Sequence, residues 1–306
     1  MLKRYISGIL IFALIFSLQS LTVGCGCNND EADLDDLIMD QNTTQSPVIN
    51  EDAINEIISS FSSPVEMAAL MSTLNVPFSK KYLVDPGLTE NYDTNNKKAF
   101  ALGVMSADLG YLNVYERSSL IVEYLSAIKR LSDDLKVSQF FDFQSFKRIA
   151  TNNDNIDSLL FLSVQSFQNM DSYLRESGRS NLSLLAITGV WLEGLYLLTQ
   201  VTEEKKSEKL RERIGEQKIL FNMLYPILKI YKDDPYFESL VTDFKEFQKI
   251  YDEVKITYQV GEPETQVIDG HITIIQNEES IVEMTDEQLQ QITLITEKIR
   301  NKLINL

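Results

Sequence analysis

Apolar side chains recur along most of this chain at the three-and-four spacing that lines one side of an α-helix. Between Thr94 and Arg179, Phe100, Val104, Ala107 and Tyr111 share one face, and Leu120, Tyr124, Ile128 and Leu131 line the next helix. Ile156, Leu160, Phe167, Met170 and Leu174 continue the pattern. Asn181 to Thr202 is almost wholly apolar and predicts a further helix. Leu210, Ile214, Phe221, Leu224 and Leu228 predict one more, kinked near Pro226 because proline lacks a backbone donor and crowds the preceding turn. Phe237, Leu240, Phe244, Phe247, Tyr251 and Val254 alternate steps of three and four, as in a coiled-coil seam.

Helix ends are marked as clearly as helix faces. Ser63-Pro64-Val65-Glu66 places a serine N-cap, a proline at the first helical position and a glutamate three after the cap. That helix is expected to run to about Asn75 and stop before Pro77. Residues 76–93, with Pro77, Pro86 and Gly87, read as a loop. Thr285-Asp286-Glu287-Gln288 is a second capping box, opening a last helix through Leu289, Ile292, Ile295, Ile299 and Leu303. Just before it the period changes. Lys255 to Val260 (KITYQV) and His271 to Gln276 (HITIIQ) are rich in β-branched and aromatic residues, and Gly261, Pro263 and Asp269-Gly270 punctuate them. The expected fold is therefore mainly α, a multi-helix bundle with a small β-hairpin or β-arm near 255–276 before the C-terminal helix. No repeat of fixed period supports a solenoid.

The first residues carry an address rather than a fold. Lys3 and Arg4 precede the apolar run Ile6 to Leu18, which is long enough for a signal peptide and short for a membrane span. The run ends in Thr22-Val23-Gly24-Cys25, which resembles the lipobox of bacterial lipoproteins. That resemblance implies a signal peptide over residues 1–24, with lipid attached to the Cys25 thiol and cleavage just before it. Thr22 departs from the leucine that lipoboxes favour at that position, and Cys27 is a competing acceptor also preceded by glycine, Gly26. A plain secretory peptide with two incidental cysteines is the alternative. With both cysteines at this site, no disulfide is available to the folded domain.

Charge narrows the partners. The chain holds 28 basic and 45 acidic residues, a net charge of −17. Loss of Lys3 and Arg4 with the signal peptide makes the mature chain two charges more acidic still. Such a protein repels phosphate backbones, which argues against nucleic acid, and also anionic lipid. Membrane residence is therefore expected to come from the lipid on Cys25. Residues 25–47 form an acidic tether, with Asp30, Glu31, Asp33, Asp35, Asp36 and Asp40 and no basic side chain. It reads equally as a solvated linker and as something resembling the surface-export signal of certain Gram-negative lipoproteins. The helical domain is expected over 48–306.

A few residues ask for chemistry. Leu182 to Val201 is twenty residues with one charge, Glu193, and so has the length of a membrane span. A mid-span carboxylate costs about 2.5–3.5 kcal/mol on insertion scales, which favours a helix buried in a protein core. A buried carboxylate must then be paired, protonated or set against a cavity. Asp108 flanks a stripe of small residues, Ala99, Gly103, Ser106, Ala107 and Gly110, that would let two helix backbones approach closely. If that helix packs on the 181–202 helix, Asp108, Tyr111 and Glu193 share one candidate pocket, with Tyr115 nearby. Two carboxylates there would suit general acid/base work or a divalent ion; a structural polar contact is the plainer reading. Asn152-Asn153-Asp154-Asn155-Ile156-Asp157 lacks the glycine and terminal glutamate of a calcium loop and reads as a polar loop capping the helix at Ile156. His271 is the sole histidine, which leaves no histidine-rich zinc site and no Ser-His-Asp triad. The pattern calls for no cofactor and no metal.

The segments FALGVMSADLGYLNVYE, NIDSLL and YLRESGRSNLSLLAITGVWLEGLYL, within about Phe100 to Leu198, resemble a group of uncharacterised all-helical envelope lipoproteins of Gram-negative bacteria. The resemblance implies a helical fold and an envelope location, with the outer membrane as the expected site and either orientation open. It supplies no activity and no functional residues. The expected function is a binding or interaction module whose partner is an envelope protein or small ligand. An envelope enzyme using the carboxylate and tyrosine pocket, or a structural spacer, are the alternatives.

Overall fold

Thr94 opens the first long helix with its side chain: Oγ1 accepts from the Lys97 backbone N–H at 3.2 Å, satisfying one donor that every helix start leaves free. The computed structural model of the protein describes residues 71, 73–152, 156–260, 264–268, 271–275 and 278–305. The expected signal peptide with Cys25, the expected tether, the Ser63 cap and residues 153–155 of the calcium-like loop lie outside the described residues. Eight α-helices follow Thr94 among the described residues: α1 (Asn95–Val114), α2 (Ser118–Asp134), α3 (Phe143–Asn152), α4 (Ile156–Glu176), α5 (Ser180–Glu204), α6 (Glu208–Ile230), α7 (Pro235–Tyr251) and α8 (Asp286–Ile304). The helix expected to stop before Pro77 does so. Asn75 adopts φ 54°, and the Val76 N–H donates to Met71 O at 3.0 Å, a closing bond of the type that ends helices in the left-handed conformation. The loop of residues 76–93 contains two short 3-10 turns, Lys80–Tyr82 and Pro86–Asn91.

α5 is the centre of the bundle. Its most apolar 18-residue stretch is wholly buried inside the domain, so the helix with the composition of a membrane span is the core helix here. α1 packs along it at backbone contact. A methyl group placed on Gly103 would lie 1.9 Å from Ala186 O, and one on Gly189 would lie 2.2 Å from Phe100 O. The stripe of small residues is thus the crossing itself, and the two glycines let the axes come closer than any side chain permits. On the far side of α5, Trp191 packs against Phe221 of α6 and Phe244 and Phe247 of α7, with ring centroids 5.4–5.7 Å apart. The three-and-four seam of α7 is the face that fills this core. Pro226 sits inside α6, which continues beyond it to Ile230.

The β-arm expected before the last helix is present and has two more strands than the sequence pattern marked. β1 (Lys255–Val260) and β3 (His271–Ile275) are both strands, yet they are not partners. β1 pairs antiparallel with β4 (Glu278–Glu283), from Lys255↔Glu283 to Val260↔Glu278. β2 (Glu264–Ile268) pairs with β3, ending at Ile268↔His271. The two residues between that last pair are Asp269-Gly270, the dipeptide suited to a two-residue hairpin turn. The register places β3 beside β2 rather than β1. The arm therefore runs to Glu283 rather than to 276. β4 packs its Val282 against Gly215 of α6, where an added methyl would meet Val282 Cγ1 at 2.3 Å. At the base of the arm, Thr285 and Gln288 form the expected capping box, with bonds of 3.1 and 2.8 Å.

A buried carboxylate–arginine site

The close crossing of α1 and α5 brings Asp108 and Glu193 together. Asp108 lies five residues beyond Gly103 on α1, and Glu193 four residues beyond Gly189 on α5. Both are fully buried, at 0% exposure. The third member comes from the opposite end of the chain. Arg300 of α8 donates from Nε to Glu193 Oε2 at 2.7 Å and from Nη2 to Oε1 at 2.6 Å, a two-pronged pair. Nη2 also donates to Tyr82 O at 2.9 Å, and the guanidinium lies 3.8 Å from the centre of the Tyr196 ring. The positive charge is thus held by a carboxylate, a carbonyl and an aromatic face at once.

Asp108 is held differently. Its Oδ2 accepts from the Val84 N–H at 3.0 Å, while Tyr124 donates to Val84 O at 2.5 Å. One residue of the loop is therefore bonded from both α1 and α2. The other carboxylate oxygen, Oδ1, is buried without a hydrogen-bond partner. Burial, then the neighbouring Glu193 charge, hold the Asp108 carboxyl well above the usual carboxylate range, against the opposing pull of Arg300 and the Val84 N–H. Burial disfavours the Arg300 charge, but the paired Glu193 carboxylate outweighs it and raises the group. Tyr92, whose hydroxyl donates to Ile304 O at 3.1 Å, is pushed up to about 12 by burial and then by Glu193.

Tyr111 stands apart from this network. Its hydroxyl accepts from the Ser79 N–H at 3.1 Å, and its ring packs on Phe78 and Tyr115 with centroids 5.6 and 4.7 Å away. Tyr115 donates to Val76 O at 3.0 Å. The two tyrosines pin the loop entering at 76–79, whereas Arg300 and Asp108 pin it at Tyr82 and Val84. Asp108, Tyr111 and Glu193 therefore sit in one neighbourhood, with the Tyr111 hydroxyl engaged elsewhere.

Sequence reasoning missed Arg300, Tyr124, Tyr196 and the backbone of Tyr82 and Val84. Arg300 carried a signal: it falls on the face of the last helix lined by Ile292, Thr296, Ile299 and Leu303, where a charge is out of place unless it is paired. The carbonyl of Tyr82 and the amide of Val84 carried none, because any residue supplies them.

Chemically, the site is a sealed polar joint. A reacting group needs access to substrate, and these three side chains are buried and bonded to one another. Among the described residues, no three His, Cys, Asp or Glu side chains are grouped to hold a metal ion. A surface groove of about 490 Å³ lies at the root of the β-arm, lined by Glu208, Arg211, Glu253, Lys255, Glu283 and Gln288 among others. At this groove Arg211 donates to Asp286 and to Met284 O, and Gln288 donates to Glu253 at 3.4 Å. The chain matches no family model, no curated protein and no solved structure.

Proposed function

We propose that this chain is a lipid-anchored protein of the bacterial cell envelope, and that its helical domain is a binding or interaction module rather than an enzyme. The carrying observation for the second part is the enclosure of Asp108 and Glu193 at 0% exposure, each bonded inside the fold. The two carboxylates that sequence alone put forward for catalysis are thereby given a structural task. The anchor rests on the Lys3-Arg4 start, the apolar run Ile6 to Leu18 and Gly24-Cys25. Each buried methylene of an acyl chain adds ~0.8 kcal/mol, so two or three chains hold a protein firmly where one does not. The outer membrane is the expected location.

The anchor is tested by labelling cells with palmitate and fractionating them. The wild-type chain takes up label and sediments with membranes, whereas Cys25→Ala takes up none and becomes soluble or stays unprocessed. Normal labelling of Cys25→Ala would show that lipid is attached elsewhere. The module is tested by purifying the anchored chain from crosslinked envelopes. A partner recovered with wild type and with Glu193→Gln alike supports a surface that acts independently of the buried site. Turnover of an envelope substrate that Glu193→Gln abolishes, in a protein that still folds, would favour the enzyme reading.

A further inference from the structure

We propose that Asp108 is a proton-bearing carboxylic acid in the native protein, donating that proton to Glu193, so that folding of the domain captures one proton at the crossing of α1 and α5. The geometry favours a proton on Asp108. Glu193 accepts from Arg300 at both carboxylate oxygens, so its lone pairs are already engaged by a cation. Asp108 Oδ2 accepts from Val84, while its buried Oδ1 receives no hydrogen bond from any donor. An ionised carboxylate can only accept, so a proton on Asp108 is what would let its buried carboxyl donate to the neighbouring Glu193.

Charge balance gives the same assignment. With Asp108 neutral, the sealed site contains one negative and one positive charge. With Asp108 ionised, it contains an extra negative charge buried away from water, a costly arrangement. No second cation relieves it. Facing or near the site are Tyr82 and Tyr92 from the loop, with Asp85 beside Tyr124. Around them lie Tyr111 from α1, Tyr124 and Glu123 from α2, Tyr196 from α5, and Arg300 and Glu297 from α8. Arg300 is the only positive group in that set, and Glu193 already holds it.

The consequence is a pH dependence of known sign. In the unfolded chain an aspartate titrates near 3.9, so it is ionised at neutral pH while the native group is protonated. The folded state therefore binds one proton more than the unfolded state. Stability from this group is fully present below the ordinary aspartate range and declines as pH rises, until the native group itself releases its proton.

The test uses the full chain. Infrared spectra at neutral pH should show a protonated-carboxyl band that shifts on labelling with carbon-13 aspartate and disappears at high pH or in Asp108→Asn. Asp108→Asn should fold, since the amide is neutral, its N–H replaces the proton towards Glu193 and its oxygen still accepts from Val84. In urea unfolding, the wild-type folding constant should fall by about tenfold more per pH unit than that of Asp108→Asn. Parallel pH profiles for the two proteins would overturn the proposal. So would a wild-type spectrum with no aspartate-derived protonated band at neutral pH, a measurement that decides the matter even if the variant fails to fold.

Discussion

Arg300, six residues from the end of the chain, grips both carboxylate oxygens of Glu193 at 2.6 and 2.7 Å across a sequence separation of 107 residues. The pair ties the last helix to the central one and, through Tyr82 O, to the loop between them. Such a bond is demanding rather than simply stabilising, because both charges were taken out of water to make it.

Removing one partner should therefore cost more than removing both. Arg300→Met leaves Glu193 buried and unpaired, and the expected loss is about 3–5 kcal/mol. The double change Glu193→Leu with Arg300→Met, apolar and of similar volume, should recover most of that loss. Trp191, the one tryptophan in the chain, lies two residues before Glu193 and is 2% exposed, so its emission reports unfolding directly. Equal losses in the single and double variants, measured by urea unfolding, would mean the pair contributes through packing alone.

The glycines at the α1–α5 crossing make a steric prediction. A methyl on Gly103 would sit 1.9 Å from a backbone oxygen, and neither helix backbone can move aside as a side chain would. Gly103→Ala and Gly189→Ala should each destabilise by about 1–3 kcal/mol or more, the range for overpacking a filled core. In an exposed helix the same change would gain roughly 1 kcal/mol from helix propensity. The sign of the shift in thermal midpoint therefore separates a true crossing from an open helix face.

Helix faces, caps and the burial of α5 were legible in the sequence because each is a local pattern: a period, a capping box, an apolar run with one charge. The stripe around Gly103 and the isolated charge of Glu193 pointed towards two helices meeting there. The third partner was harder to see. Arg300 is 107 residues from Glu193, and no local rule connects two such distant positions. The β-arm shows the same limit. KITYQV and HITII were visible as strands by their β-branched content, whereas ETQVI and EESIVE are diluted by glutamate and glutamine. Their places are seen only in the pairing, ETQVI against HITII and EESIVE against KITYQV, and not in their own propensity.

The capping box at Thr285 offers a way to probe how the last helix presents Arg300. Thr285 Oγ1 accepts from the Gln288 N–H, and Gln288 Oε1 accepts from the Thr285 N–H, so the first turn of α8 is closed from both sides. Thr285→Ala removes the first bond and should cost about 1 kcal/mol, the usual effect of deleting an N-cap. Fraying begins at the Asp286 end, fourteen residues and nearly four turns before Arg300, so the cost should stay local. The expected result is faster amide hydrogen exchange over residues 286–290, with exchange around 296–303 unchanged. Accelerated exchange reaching Arg300 would instead mean that α8 opens as one unit, its cap and its buried arginine released together.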